Sequence, residues 1–311
     1  MAQDVYSKSM LTKVAWYYYK EDLTQNEIAD YLGLTRNQVV RHLEKAKTEG
    51  IIQFHIYGME ANCLEIKKKL VSHFQLKDAY IIPAPKNKAD IRQSLAKAAA
   101  QTVQSNLTEN DLIGIGWGQA ALQTVDQLSI DPAKNISIVT LTGGVNHYFQ
   151  NRNHHSEGGF QGKIFAIPAP FMASTDEMAR LLLTEPSVAD ILDLASLAKH
   201  VIVGIGSLAH DSTIVIEEKL TIKELAYIRN QQAVGDILGQ FFDIEGKIID
   251  LPLHKRLIGA SLNKLKEMNV IAVAGGEEKV NAIYGALKGQ YISTLITDEE
   301  TAAALMKLGG D

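Results

Sequence analysis

Residues 112–119 read LIGIGWGQ, a short apolar run that leads directly into a glycine-rich turn. Five further apolar runs, rich in valine and isoleucine, alternate with helical stretches along the chain, at 80–82, 136–141, 201–206, 271–274 and 294–297. Strands of this kind, separated by helices, are typical of a mostly parallel sheet that is covered on both faces. The sequence therefore predicts a doubly wound α/β domain.

Glycine-rich turns follow four of the predicted strands, at 116–119, 142–145, 204–207 and 274–279. One such turn is weak support for a site, because tight connections use glycine for steric reasons alone. Ligands of open α/β sheets bind beyond the carboxyl ends of the strands, however, so the four turns are expected to converge. The predicted effector-binding residues are Gly116, Trp117, Gly118, Gln119, Thr142, Gly143, Gly144, Gly206, Asp236, Gly275, Gly276 and Lys279.

The chemistry of these residues favours a small anionic ligand. Backbone amides around Gly118 and Gln119 can hold an anion, and Lys279 supplies a point charge for a phosphate. Asp236 suits sugar hydroxyls, although capping a helix is an equally good interpretation of this residue. Neither nucleotide-binding fingerprint is complete, so we expect no nucleotide or other cofactor.

The N-terminal segment has the pattern of a helix-turn-helix. A first helix is predicted over 11–19. Thr24 and Glu27 form a capping box before a short helix, Gly33 follows in the turn, and Thr35 and Gln38 form a second box before another helix. The start of the second helix of such a motif contacts bases in the major groove, which makes double-stranded operator DNA the expected partner. The candidate DNA-binding residues are Thr35, Arg36, Asn37, Gln38, Arg41 and His42.

The same residues allow one alternative to a helix-turn-helix, and the residues that follow suggest which form of the motif is present. A plain αα-hairpin with a solvated charged face fits the same residues. The stretch 49–56 reads as a glycine stop and a strand, which favours a winged helix-turn-helix. We therefore predict a DNA-binding domain at 1–57, a linker helix at 58–76 and an effector-binding domain at 77–311. The apolar stripe of the linker helix is thin and also fits a subunit contact, so a homo-oligomer, a dimer or tetramer, is expected.

Composition narrows the class of protein. The 311 residues are 46% hydrophobic with a formal net charge of -5, so any contact with DNA must be local. Between 36 and 47, four basic residues face one acid. The single cysteine, Cys63, excludes an intrachain disulfide and a cysteine-based zinc cluster, and no metal site is expected. The start of the chain has no signal-peptide core and no apolar run approaches a membrane span, so we expect a cytoplasmic protein without membrane contact.

Four motifs in order resemble the SorC/DeoR family of sugar-binding regulators: 23–29, 114–118, 233–236 with 241–243, and 273–279. The resemblance implies an effector domain similar to sugar-phosphate isomerases and deaminases, tetramers on palindromic operators, and phosphorylated sugars or related metabolites as effectors. Stretches 140–144, 167–170 and 235–239 are similar to regulators of autoinducer uptake that respond to a phosphorylated autoinducer. Members that capture deoxyribose phosphate as a Schiff base carry a lysine where this sequence has Thr142, so reversible binding is implied.

The resulting prediction is a transcription regulator of a carbohydrate-uptake or catabolic operon, and not an enzyme. A repressor is expected, with activation as the open alternative. The main rival is a sugar-phosphate isomerase or deaminase with an appended DNA-binding segment. Such an enzyme needs a positioned base and a partner acid, for which Asp236, His147 and the pair His154 and His155 are the available groups. A catalyst has no use for the helix-turn-helix. A purely structural module leaves the convergent glycine turns unexplained.

Overall fold

The computed structural model describes residues 2–49, 51–52, 59–85, 87–144, 160, 162–210, 212–217 and 219–310. The chain divides into two compact units, Met1–Gly58 and Met59–Asp311. Each unit has its own buried apolar clusters.

The first unit contains the predicted helix-turn-helix. Its described helices are α1 (Ala2–Tyr19), α2 (Gln25–Leu32) and α3 (Arg36–Thr48). Both capping boxes are confirmed, at Thr24 and at Thr35. Gly33 ends α2 with φ 66°, the left-handed conformation that glycine adopts at little cost. Most of the predicted wing strand, residue 50 and residues 53–56, lies outside the described residues.

Helices and strands alternate through the second unit. Its described helices are α4 (Met59–Phe74), α5 (Ile91–Asn106), α6 (Gln119–Asp126), α7 (Asp176–Thr184), α8 (Pro186–Ala195), α9 (Thr213–Ile216), α10 (Ile222–Asn230), α11 (Leu262–Leu265), α12 (Val280–Lys288) and α13 (Glu299–Gly309). The strands of its main sheet are β1 (Asp78–Ile82), β2 (Leu112–Ile115), β3 (Ser137–Thr140), β4 (Lys163–Phe165), β5 (His200–Gly204), β9 (Val270–Val273) and β10 (Thr294–Asp298).

The main sheet is parallel throughout its described pairings, in the order β1-β10-β9-β5-β2-β3-β4. All six predicted strands are confirmed, and β4 at the edge was not predicted. The chain runs outward from β2 to β3 and β4, then returns to place β5 on the other side of β2. This reversal creates a topological switch point between the carboxyl ends of β2 and β5, the place where open α/β sheets bind ligands.

Both faces of this sheet are buried, as predicted. Val201 and Val203 belong to a cluster on one face, whereas Ile202 between them belongs to a cluster on the other. The predicted linker helix corresponds to α4, which packs on β1 and α13 and contributes Leu70 and Phe74 to the first of these clusters. Among the described helices, none combines the length and apolar character that a membrane span requires.

A small antiparallel sheet lies beside the main one in the second unit. It is formed by β6 (Gly206–Ser207), β7 (Gly235–Ile237) and β8 (Gln240–Phe242). The β7–β8 hairpin turns at Leu238 and Gly239, with φ 54° and 78°. Asp236 lies within β7, so its alternative interpretation as a helix cap is wrong.

Candidate functional site

A cavity of about 130 Å³ lies at the switch point between β2 and β5. Residues 117–120 follow β2 and line the cavity, and residues 204–207 line it where β5 ends. The predicted convergence of glycine-rich turns therefore holds for the turns after β2 and β5, and for Lys279 in the turn after β9. Residues 142–144, the described part of the turn after β3, do not line the cavity.

Half of the predicted effector-binding residues line this cavity: Trp117, Gly118, Gln119, Gly206, Asp236 and Lys279. The cavity lining does not include Gly116, Thr142, Gly143, Gly144, Gly275 or Gly276. A role in effector binding stays a prediction for all twelve residues, of which the first six line the cavity.

Packing accounts for several of the glycines that lie outside the cavity. A β-carbon on Gly116 would lie 2.7 Å from Leu238 Cδ2, so this glycine makes room for a side chain that does line the cavity. The amide of Gly143 donates to the Ile258 carbonyl at 2.9 Å, and a β-carbon on Gly143 would lie 2.2 Å from the Pro170 carbonyl oxygen. Close approach of the backbone therefore requires glycine at 143, whereas Gly116 makes room for side chains.

The start of α6 forms one wall of the cavity. Its N-cap residue is Gly118, with φ 122°, so no N-cap side chain is present to accept from the amides of the first turn. Gln119 and Ala120, the first residues of the helix, line the cavity as well. Amides in the first turn of a helix lack partners within the helix and, with the helix dipole, favour an anion.

Asp236 is a buried carboxylate, 7% exposed, in the cavity wall. Its Oδ2 atom accepts a hydrogen bond from the Gly239 amide at 3.0 Å. Burial raises the pKa of Asp236 to about 6, while the bond from Gly239 and the charge of Lys279 act in the opposite direction. A carboxyl group with this pKa changes its charge around pH 6, where it can donate as well as accept hydrogen bonds.

Sequence reasoning missed several lining residues, including Arg92, Ser207, Ser212, Thr213 and Glu278. Arg92 is exposed in the first turn of α5 and adds a cation to the wall. The Oγ atom of Ser212 is buried and has no hydrogen-bond partner within the described part of the chain. Ser207 and Glu278 lie in the glycine-rich turns 204–207 and 274–279 but were not selected. No glycine turn or motif marks Arg92, Ser212 or Thr213, and only the fold brings these three to the cavity.

Apolar side chains complete the lining. Trp117 packs on Phe171 with ring centroids 4.0 Å apart, and the Lys219 ammonium lies 5.8 Å from the centroid of the tryptophan ring. Leu238 contributes from a turn position with positive φ, where asparagine or glycine is usual. A side chain held in this conformation at a cavity wall is typical of a functional constraint.

The exposed face of α3 carries the predicted DNA-binding residues. Arg36, Asn37 and Arg41 are exposed and His42 is half-buried, with its Nδ1 atom 2.7 Å from the Gln38 carbonyl oxygen. The capping box holds the Oε1 atom of Gln38 through the Thr35 amide at 2.8 Å. Thr35 and Gln38 therefore fix the start of α3, and the Gln38 side-chain NH₂ is the group that remains for a base.

Of the groups available to the rival enzyme, Asp236 lies in the cavity wall. The described residues contain no group of three or more histidine, cysteine or acidic side chains placed to hold a metal. His147, His154 and His155, the other groups available to an enzyme, lie outside the described residues.

Comparisons with known proteins agree with this architecture. Residues 60–307 match the family model described as "Putative sugar-binding domain". The transcriptional regulator LsrR of Escherichia coli O139:H28 is 39% identical over 310 residues, covering 98% of this chain and 96% of that protein. The chain belongs to the SorC/DeoR family of sugar-binding transcriptional regulators.

Other members of the SorC/DeoR family extend the match. LsrR from Enterobacter sp. (strain 638) is 35% identical over 308 residues, covering 97% of this chain and 94% of that protein. The full-length sorbitol operon regulator SorC from Klebsiella pneumoniae superposes with a TM-score of 0.70 at 24% identity, covering 96% of this chain and 98% of that one. The relatives place this chain among transcriptional regulators, and the solved structure shares its fold.

Proposed function

We propose that the chain regulates a carbohydrate-uptake or catabolic operon through reversible binding of a small phosphorylated, sugar-like effector in the cavity between β2 and β5. The observation that carries the proposal is the composition of this cavity. It combines the start of α6, the cations Arg92 and Lys279, and a carboxyl group, Asp236, at a switch point of the sheet.

Each part of the cavity suits one part of such an effector. A phosphate is an anion with several acceptor oxygens, and it gains from the free amides of a helix N-terminus and from the charge of Lys279. Asp236 and the hydroxyl of Ser212 suit the hydroxyl groups of a sugar, since both can pair with an O–H group in a buried setting. The two cations of the lining favour a ligand that carries negative charge over an uncharged sugar.

DNA binding is assigned to α3. The exposed residues Arg36, Asn37 and Arg41 stand at the start of the helix, where a helix-turn-helix contacts the major groove. Arginine suits guanine and asparagine suits adenine. The relatives named LsrR are transcriptional regulators and the solved SorC structure is that of a sorbitol operon regulator, which supports both the DNA partner and the carbohydrate operon. Assembly as a dimer or tetramer is part of the proposal.

Catalysis is the second candidate, and the raised pKa of Asp236 is the observation that favours it. An isomerase needs a second acid or base placed on the same substrate. Of the described lining residues, the other acid is Glu278, which is exposed. We therefore propose that the cavity binds without turnover. Isomerisation or deamination of a sugar phosphate that disappears in Asp236→Asn would reverse this ranking.

The experiment is a thermal-shift screen of the full chain against D-ribose 5-phosphate, D-sorbitol 6-phosphate and the corresponding free sugars. A ligand at a hundred times its Kd adds about 2.7 kcal/mol of stability. We expect a rise in melting temperature with phosphorylated ligands that is absent with free sugars and reduced in Lys279→Ala. Equal shifts with a sugar and its phosphate would contradict a phosphate site.

A further inference from the structure

A buried hydrogen-bond chain connects the end of β10 with the turn after β9. Asp298, the last residue of β10, is 1% exposed, and its Oδ2 atom accepts a hydrogen bond from the Thr301 hydroxyl at 2.6 Å. The oxygen of the same hydroxyl accepts a bond from the Gly276 amide at 2.8 Å. Thr301 itself is 2% exposed. The hydroxyl thus donates to one element and accepts from another, in a place shielded from water.

Capping of α13 does not require this chain. Asp298 is the N-cap residue of that helix, and its Oδ1 atom accepts from the Thr301 backbone amide at 3.0 Å. A helix cap is complete with that bond. The hydroxyl of Thr301 adds a second bond to the same cap residue, and the bond that it accepts from the Gly276 amide leads out of its own helix.

The connection reaches the part of the turn that lines the cavity. Gly276 immediately precedes the single helical turn Glu277–Lys279, and the Lys279 amide donates to the Gly276 carbonyl at 3.0 Å. Glu278 and Lys279 line the cavity. Fixing the Gly276 amide therefore fixes the backbone from which the lysine side chain extends.

Asp298 also meets α5. A β-carbon on Gly275 would lie 2.4 Å from Asp298 Oδ2 and 2.8 Å from Leu95 Cδ1, so carboxylate, turn and helix meet at one glycine. Leu95 is buried, and Arg92 lies one turn before it on α5. The elements that carry Arg92 and Lys279 thus make contact around the same carboxylate.

We propose that Asp298 and Thr301 form a positioning pair, which holds the two cation-bearing walls of the cavity at the spacing that an anionic group requires. The proposal rests on the proposed function, since the anion is the phosphate of the effector. Neither residue lines the cavity, so both act through others: Thr301 through Gly276 on Lys279, and Asp298 through Gly275 on α5. Gly275 and Gly276 then contribute to the site by positioning Lys279 and α5, without lining the cavity themselves.

Thr301→Val separates positioning from capping, because valine keeps the shape of threonine and the backbone amide but lacks the hydroxyl. Thr301→Ser restores the hydroxyl and is the rescue variant. Thr175→Ala is the matched structural control, since Thr175 accepts from the Met178 amide and caps α7 at a helix start outside the cavity lining. Two readouts are compared across the full-length variants: hydrogen exchange of the Gly276 amide, and affinity for D-ribose 5-phosphate and inorganic phosphate by calorimetry.

In Thr301→Val, we expect the Gly276 amide to exchange faster and phosphate affinity to fall on the order of tenfold, with Thr301→Ser close to wild type. In a Lys279→Ala background the same change should weaken affinity less than about twofold, because residues that act through one another are not additive. Thr175→Ala should lower the melting temperature without changing either readout.

Equal exchange and equal affinity in Thr301→Val and Thr301→Ser would overturn the proposal, as would a full additive loss in the Lys279→Ala background. A wild-type protein that binds neither probe would contradict the proposed function instead, and the exchange measurement would then decide the positioning role alone. Should Thr301→Val not fold, Thr301→Ala read by exchange at Gly276 supplies the same comparison with Thr301→Ser.

Discussion

Gly206 lies directly opposite Asp236 in the β6–β7 ladder, and a β-carbon on Gly206 would lie 2.0 Å from the Asp236 Oδ1 atom. The carboxylate occupies the space that the glycine leaves open. Gly206→Ala must displace it and disturb its bond with the Gly239 amide. We expect a loss of stability of about 1–3 kcal/mol, typical of overpacking, together with weaker binding of phosphorylated ligands.

The control for this substitution is Gly204→Ala, two residues away. A β-carbon on Gly204 would meet the Trp117 carbonyl oxygen at 3.7 Å, an ordinary contact. Denaturant unfolding of both variants checks the prediction, and equal stability would show that the Asp236 carboxylate moves aside freely.

The pKa of Asp236 gives a prediction with a definite sign. Burial raises this pKa from 3.8 to about 6, so between these two pH values the folded protein holds more protons than the unfolded chain. Stability from this group therefore falls as pH rises through that window, and the penalty levels off above the folded pKa of about 6. At about 1.4 kcal/mol per pKa unit, it amounts to about 3 kcal/mol.

Asp236→Asn removes that penalty. We expect the stability difference, variant minus wild type, to grow from about pH 4 through pH 6 and to level off above pH 6. Burial lowers the pKa of His254 to about 4, so the contribution of His254 to stability changes with pH in the opposite direction. This contribution is the same in both proteins and cancels in the difference. Urea unfolding at a series of pH values measures the difference. A difference independent of pH would mean that Asp236 titrates normally in the folded state.

The strands of the main sheet were largely predictable from the sequence, whereas the hairpin that carries Asp236 was not. Six parallel strands were predictable because each is a continuous apolar run, whereas β4 has only three residues, of which Lys163 and Phe165 are exposed. The hairpin of β7 and β8 was missed because Leu238 occupies a turn position where asparagine or glycine is the usual signal. Without that signal, the surrounding residues favoured a helix cap as strongly as a binding site.

The site was predictable where a glycine turn directly follows a strand that ends at the cavity, as at Gly118 and Gly206. Arg92 and Ser212 could not be found in this way, because they approach from α5 and from the start of α9, far along the chain from those turns. Thr142 was predicted from its glycine turn but does not line the cavity, because that turn packs against other parts of the chain. Thr142 pairs with Gly259, and the glycines that follow it pack on 169–171. The local sequence around Thr142 does not predict these contacts.

Ser212 provides a test in which affinity and stability separate. Its buried Oγ atom has no hydrogen-bond partner within the described residues, and an unsatisfied hydroxyl costs folding free energy. Ser212→Ala should therefore leave the stability of the unliganded protein unchanged or raise it, while phosphorylated ligands bind more weakly. The control is Ser207→Ala, because Ser207 Oγ accepts from the Ala209 amide at 3.5 Å and its loss should not stabilise. Lower stability in Ser212→Ala would show that the hydroxyl is satisfied without ligand.

The helix α3 should read the operator through its exposed basic residues. We expect Arg36→Ala and Arg41→Ala each to weaken operator binding without unfolding the protein, and to reduce the salt dependence of binding when a phosphate contact is lost. Lys45→Ala is the control, since Lys45 lies in the last turn of the same helix and pairs with Glu49 at 3.5 Å. Thr35→Ala should act through stability, at a cost of about 1 kcal/mol for the lost cap. Unchanged affinity in both arginine variants would remove α3 from the recognition role.

Lys279 tests whether effector and operator binding are coupled. A ligand shifts an equilibrium only by its differential affinity for two states, so a regulatory effector must change operator affinity, and the operator must change effector affinity by the same factor. Lys279 lines the cavity of the second unit, whereas the candidate DNA-binding residues belong to the first. Lys279→Ala should therefore abolish the response to effector while leaving effector-free operator binding nearly intact.

Two titrations of operator DNA decide this prediction, one without ligand and one with a phosphorylated ligand found in the screen, each on wild type and Lys279→Ala. A matched variant, Lys288→Ala, removes the same charge from the end of α12, at a residue that does not line the cavity, and should respond like wild type. If Lys279→Ala still responds at the ligand concentration that suffices for wild type, the phosphate is held elsewhere. If Lys279→Ala binds the operator more weakly even without ligand, Lys279 stabilises the DNA-binding state itself. The effector would then act by displacing the contacts that Lys279 makes in the ligand-free protein.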